Sequence, residues 1–309
     1  MKRILVIRGG AIGDFILTLP ALKALRNTFP DASLEILGYK HIAAIAENRF
    51  YAQAVRSIEY GPLSTFFAKN SELPPDLATY FASFDLIVSY LYDPDGIFET
   101  NLRRCGIKKL ISGPGKIDER SHASQQLLSP ITELGISSGE TPPKIYPSAE
   151  DRQFAQSFLR ELPHPVVTIH PGSGSKKKNW PIEKWIALPS ESGISVVVSG
   201  EADDPERARI VSGWKDRNVR FARNLSLPHL AAVLENTVFI GHDSGISHLA
   251  AAAGAECILL FGPTDPAVWA PKGRNVNLLR SPNGDLRQLD VDLVRDALDQ
   301  ALMRIGINT

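Results

Sequence analysis

Cysteine is nearly absent: Cys105 and Cys257 are the only two among 309 residues. Two thiols cannot staple a disulfide-dense fold or build a cysteine-rich zinc site, and such scarcity suits a reducing compartment. Neither sign of charge is in excess. Lys and Arg number 34 and Asp and Glu 34, with 16 of each sign in residues 1–150, so no broad field draws nucleic acid or anionic lipid. Long apolar runs are also missing. The longest weakly polar stretch, Leu249–Gly262, is interrupted by Glu256 and is too short for a bilayer. The apolar start Ile4–Ile7 stops at Arg8, with Asp14 soon after, which argues against a secretory h-region. The expected location is the cytoplasm. The block around Ser244 does not form the hydrolase elbow Gly-x-Ser-x-Gly, and neither the metalloprotease signature His-Glu-x-x-His nor a Gly-Lys-Ser/Thr phosphate loop occurs.

What is present is an alternation. Short, mostly apolar runs without regular alternation occur at Ile4–Ile7, Leu34–Leu37, Leu86–Val88, Leu110–Ile111, Val166–Ile169, Ser195–Val198, Val238–Ile240 and Cys257–Phe261. Such runs fit parallel strands covered on both faces. Helical patterns lie between them, among them Ala21–Thr28, Pro181–Leu188, Pro205–Trp214 and Pro228–Leu234. Strand–helix–strand order predicts an α/β fold with right-handed crossovers. At 309 residues two domains are expected. The Thr141-Pro142-Pro143 stretch and the cap Ser148-Ala149-Glu150-Asp151 divide the chain into 1–147 and 148–289. Residues 290–309 form an amphipathic tail helix with apolar Val291, Val294, Leu298, Leu302 and Ile305.

Small residues gather after three of the strands. Arg8-Gly9-Gly10-Ala11-Ile12-Gly13-Asp14 follows the first, but its glycines lack the dinucleotide spacing, and no acid ends the second strand. Asp14 stands at the carboxyl edge of that strand, where open α/β sheets bind ligands; it can act as a general base or as a helix N-cap. His170-Pro171-Gly172-Ser173-Gly174-Ser175-Lys176-Lys177-Lys178-Asn179-Trp180-Pro181 supplies free amides, hydroxyls and cations for a phosphate or diphosphate. Lys176 and Lys177 read as solvated, whereas Lys178, next to the helix entry, is the ligand candidate. In Gly241-His242-Asp243-Ser244-Gly245-Ile246-Ser247-His248, Asp243 or Ser244 caps a helix whose first amides can hold an anion. His248, four residues after Ser244, is either a structural histidine or one more donor. Ser199-Gly200-Glu201-Ala202-Asp203-Asp204-Pro205 offers acids for ribose hydroxyls or a capping turn before Pro205, and Phe261-Gly262-Pro263-Thr264-Asp265-Pro266 is a Pro-rich turn on the same edge.

With these residues the chain resembles glycosyltransferase family 9, the ADP-heptose:lipopolysaccharide heptosyltransferases. The match is carried by Gly13-Asp14 through Pro20-Ala21-Leu22, by His170-Pro171-Gly172 through Trp180-Pro181, and by Asp243–His248 with Phe261–Pro266. The resemblance implies a GT-B fold, two Rossmann-like domains facing across a cleft, with the tail helix crossing back to the first. It implies an inverting transfer, without metal or cofactor, from a nucleotide-activated sugar, ADP-heptose, to a saccharide or lipid-linked glycan. It carries the catalytic role onto Asp14 and the diphosphate onto Ser173, Gly174 and Lys178. Asp243, Ser244, Gly245 and His248 fall at the donor phosphates and sugar. The ribose falls on Asp204, with Glu201 as alternative, and adenine packing on Leu225. The first half is neutral, and Arg120 with His122 is the pair assigned to the acceptor. No nucleic-acid partner and at most peripheral membrane contact are expected. The rival readings are a GT-B nucleotide-sugar epimerase, a non-catalytic nucleotide-sugar-binding homologue and a Rossmann oxidoreductase.

Overall fold

The computed structural model describes residues 1–137, 139, 141–189, 193–200, 204–214 and 219–307; the side chains of Asp204, Gly306 and Ile307 are outside that description. After Thr141 the chain passes from one compact unit to a second, shortly before the Ser148 cap.

The first unit runs β1 (Arg3–Arg8), α1 (Ile12–Thr28), β2 (Ser33–Gly38), α2 (Lys40–Ala43), β3 (Ala54–Ser57), α3 (Pro75–Ala82), β4 (Leu86–Ser89), α4 (Ile97–Arg104), β5 (Leu110–Ser112) and α5 (Ala123–Thr132). All pairings are parallel, in the order β3-β2-β1-β4-β5. Central β1 sets Val6 between Ile36 and Val88, and Ile4–Ile7 are fully buried, the environment that unbroken apolar runs require. Phe66, Phe81, Phe84 and Phe98 fill the core on the side of α3 and α4.

The second unit runs α6 (Ala149–Leu159), β6 (Val167–His170), α7 (Ile182–Ala187), β7 (Val196–Ser199), α8 (Asp204–Ser212), β8 (Arg220–Arg223), α9 (Leu227–Leu234), β9 (Val238–His242), α10 (Gly245–Ala253), β10 (Glu256–Phe261), α11 (Pro266–Trp269), β11 (Val276–Arg280) and α12 (Val291–Ile307). Its sheet is likewise parallel, ordered β11-β10-β9-β6-β7-β8. Counted within the unit this is the doubly wound order 6-5-4-1-2-3 of dinucleotide-binding folds. Ser148 caps α6 as expected: its hydroxyl accepts the Asp151 amide at 3.1 Å while Asp151 accepts the Ser148 amide at 2.8 Å. Gly254, at φ 99°, stops α10.

One expectation needs correction. Helix α1 begins at Ile12 rather than Ala21, with Pro20 inside it. Pro20 removes the donor for the Ile16 carbonyl, but Phe15 through Leu22 are all buried, and that packing carries the helix through the lost bond. The apolar stripe of the tail helix is used within the second unit. Val294, Ala297, Leu298 and Ala301 are buried in the core beneath β9 and β10, and Val291, Leu302 and Ile305 pack against it. The stripe read from the sequence is right; its partner is this sheet.

Candidate active site

In a doubly wound sheet the connections leave in opposite directions from two neighbouring strands, and a crevice opens at their carboxyl ends. In the second unit those strands are β6 and β9. Their register sets His170 opposite Gly241, so the loop after His170 and the start of α10 after His242 emerge side by side. The two small-residue blocks of the sequence therefore meet at one place.

Lys178 ends a short 3₁₀ turn, and its Nζ lies 2.6 Å from Asp243 Oδ2. Ser244 is the N-cap of α10, its hydroxyl accepting the Ser247 amide at 3.3 Å. The Gly245 and Ile246 amides precede the first amide bonded within the helix, that of Ser247, and carry the positive end of the helix dipole. Ser244 Oγ also stands 3.4 Å from His170 Nδ1. Below the loop are Arg207, 2% exposed, and His242, fully buried. A Cβ on Gly172 would come within 2.3 Å of the Arg207 guanidinium, so any side chain there would have to displace Arg207. Burial, reinforced by Arg207, pushes His170 from 6.5 down to about 3. Burial likewise takes His242 to about 3, against the opposing Gly172 carbonyl and Asp243. Both rings are neutral at ordinary pH.

That neutrality has a consequence for stability. The His242 pKa is depressed on folding, so the unfolded chain binds the extra proton as pH falls below 6.5. The stabilisation is fully present above that value and lost progressively towards pH 3. By pH 5 it amounts to a loss of about 2 kcal/mol. Urea unfolding at pH 7 and pH 5 should show this drop, and His242→Phe should reduce it.

The other expected donor residues fall out as follows. Ser173 faces its own loop, 2.7 Å from Asn179 Oδ1 and 2.8 Å from the Ser175 carbonyl. Gly174 is exposed at the loop tip. His248 is buried at 4%. Leu225 is half-buried between β8 and α9, packed against the cluster of Ala155, Ala232 and Val233. Asp204 opens α8 by its backbone, and Glu201 lies outside the described residues. Sequence reasoning missed His242 and Arg207. His242 could have been found as the last strand residue before Asp243; Arg207, inside an ordinary polar helix, left no signal.

In the first unit the corresponding point lies between β1 and β4. Asp14 is in the first turn of α1, and its Oδ2 accepts the Ala11 amide at 2.9 Å. Ala11, not Asp14, is the N-cap position. The carboxylate side chain remains 34% exposed. Arg8, 6% exposed, reaches beneath it, with Nη2 3.2 Å from the Asp14 carbonyl and 3.6 Å from Oδ1. Burial lowers the Arg8 pKa, and the Asp14 charge opposes that. Gly10, at φ +95°, has room for no side chain: a Cβ would meet Asp14 Oδ2 at 2.8 Å. The two residues assigned to the acceptor have local partners. His122 is 6% exposed and caps α5, its Nδ1 accepting the Ser124 amide at 3.2 Å. The Arg120 guanidinium sits 2.5 Å from Asp118. Among the described residues no group of three or more His, Cys, Asp or Glu is placed to hold a metal ion, and no helix is long and apolar enough to cross a membrane.

Two doubly wound parallel sheets in one chain, each with its polar residues at the carboxyl-end switch point, make this an α/β protein of the GT-B glycosyltransferase type. The profile of glycosyltransferase family 9 (heptosyltransferase) matches residues 119–293, more than half of the chain, and the chain belongs to that family. It is similar to lipopolysaccharide heptosyltransferase 1 of Escherichia coli O18:K1:H7, 26% identical over 96% of this chain and 97% of that one. Among solved structures it is similar to a family 9 glycosyltransferase from Veillonella parvula (TM-score 0.81, 18% identity, 98% and 97% of the two chains). It is also similar to the Escherichia coli heptosyltransferase WaaC with ADP (TM-score 0.73, 21% identity, 97% and 99%).

Proposed function

We propose that this glycosyltransferase moves heptose from ADP-heptose to a hydroxyl of a saccharide or lipopolysaccharide-core acceptor, with inversion and without a metal ion. The observation that carries the reading is the Lys178–Asp243 pair at the start of α10, 2.6 Å apart at the switch point of the second sheet. Asp243 aims the ammonium, which has three hydrogens and can share them with a diphosphate. The Gly245 and Ile246 amides add fixed donors. A relative solved with ADP supports the same nucleotide here. Ser173, Gly174 and His248 line the phosphate and sugar end in this reading, Leu225 the base, and Asp204 the ribose. The enzyme works in the cytoplasm, with at most peripheral membrane contact.

In the chemical step the acceptor hydroxyl attacks the anomeric carbon from the face opposite the diphosphate. Asp14 takes the hydroxyl proton as the new C–O bond forms and the sugar–phosphate bond breaks. Charge growing on the leaving diphosphate is stabilised by Lys178 and the amides, which are in place beforehand. Such a donor set supplies the role a divalent ion would fill, so turnover should persist unchanged in EDTA. Activity lost to the chelator and restored by Mg²⁺ or Mn²⁺ would overturn that part.

Lys178→Ala should weaken ADP by about 1.5–3 kcal/mol, the worth of a charged hydrogen bond. Lys176 is exposed, and Lys176→Ala should change binding by less than about 1 kcal/mol. Calorimetric titration compares the two, and equal affinities would show the wrong lysine was chosen. The donor itself is tested by thermal shift with ADP-, GDP-, UDP- and dTDP-sugars. ADP-heptose should raise the melting temperature most; a larger shift with another nucleotide would replace it.

A further inference from the structure

We propose that His242 is a positioning residue for the donor-phosphate loop: its ring joins Gly172 to Trp180, the two ends of the segment that carries Ser173 and Lys178. The inference rests on the reading that this loop holds the diphosphate.

His242 Nε2 accepts the Trp180 backbone amide at 2.8 Å. An Nε2 that accepts leaves the ring proton on Nδ1, and Nδ1 faces the Gly172 carbonyl at 3.5 Å. The ring plane is set by Trp185, edge-on at 5.5 Å and 80°. The His242 carbonyl in turn accepts the Ser247 hydroxyl, in the first turn of α10. One residue, its ring without exposure to solvent, thereby connects the loop after β6 to the helix start after β9.

Most other hydrogen bonds described for the loop shape it without placing it; at its far end the Trp180 indole Nε1 also donates to the Leu289 carbonyl at 3.1 Å, which anchors that side chain rather than the loop backbone. Ser173 bonds Asn179, and the Lys178 and Asn179 amides bond the Ser175 and Lys176 carbonyls. Lys178 does reach Asp243 across the crevice, but Lys178 is the group that must turn to the phosphate. When it does, His242 still holds both loop ends, because no ligand competes for a ring buried beneath them. Placement of the ammonium then depends on this ring.

The test compares His242→Phe, which keeps the ring packed on Trp185 but removes both hydrogen bonds, with His242→Gln, which keeps an acceptor. ADP affinity should fall about tenfold in His242→Phe, with donor KM rising in parallel and acceptor KM unchanged. His242→Gln should recover part of the loss. Lys178→Ala should cost less in the His242→Phe background than in the wild type, because a loop already out of place has less to lose. Unchanged ADP affinity in folded His242→Phe, beside a weakened Lys178→Ala, would overturn the inference alone. Unchanged affinity in Lys178→Ala would overturn the donor-loop reading and this inference with it. If His242→Phe does not fold, hydrogen exchange on the wild type decides: the Trp180 amide should exchange far more slowly than those of Lys176 and Lys177, and equal rates would refute the tether.

Discussion

Asp14→Asn should lower transfer by about 10²–10⁴-fold, the usual cost of removing a general base, while ADP binding stays close to wild type. Asparagine has the shape of aspartate, and its side-chain oxygen can still accept the Ala11 amide that Asp14 now holds at 2.9 Å. The start of α1 is thus preserved, and what disappears is the ability to take a proton. The donor residues lie on another sheet, so affinity for the nucleotide should not follow. Single-turnover rates with calorimetric ADP titration on the same preparation check both halves. Near-wild-type transfer would leave Asp14 with only its helix-start hydrogen bond.

Removing residues 290–309 should unfold the second unit. The deletion takes Val294, Ala297, Leu298 and Ala301 out of the core, where all four are at most 5% exposed. It also strips cover from β9 and β10. A buried Leu or Val alone contributes about 1.5–3 kcal/mol, and whole domains are stable by only about 5–15 kcal/mol. Donor binding and transfer should therefore be lost together. The first unit, with its own core around Phe66, Phe81 and Phe98, should keep its fold. Hydrogen exchange read peptide by peptide distinguishes the two. A truncated chain that still binds ADP would show that the helix is dispensable to this core.

Residues that face neighbours of one kind were legible in advance. A strand buried on both faces is apolar at most positions, so the central strands β1, β2, β4, β6, β7, β9 and β10 show as short apolar runs, with Glu35 in β2 and Thr168 in β6 as buried exceptions. Of the edge strands, β5 shows as Leu110–Ile111, whereas β3, β8 and β11 do not. Ala54-Val55-Arg56-Ser57 is half solvated, as are Arg220-Phe221-Ala222-Arg223 and Val276–Arg280, and their polar positions hide the pattern. Helix caps were readable for a similar reason: Ser148 and Ser244 satisfy amides three residues away, so the signal is local. The start of α1 was not, because Pro20 speaks for a helix beginning at its own position and the packing that overrules it comes from elsewhere.

The candidate site divides the same way. The sequence by itself determined the α/β class, the two-unit organisation and the small-residue turns carrying Asp14, Lys178 and Ser244, because glycine, capping and phosphate chemistry act over a few residues. Only the tertiary structure decided that Lys178 pairs with Asp243, 65 positions away. The same holds for His242, which reaches back 62 positions to Trp180, and for Arg207 beneath Gly172. Tertiary structure also decided that His122 caps a helix and that α12 completes the second core. Parallel sheet order sets these meetings: it brings together the ends of β6 and β9 across three intervening crossovers, and nothing in the local pattern of either segment encodes which other strand will lie beside it.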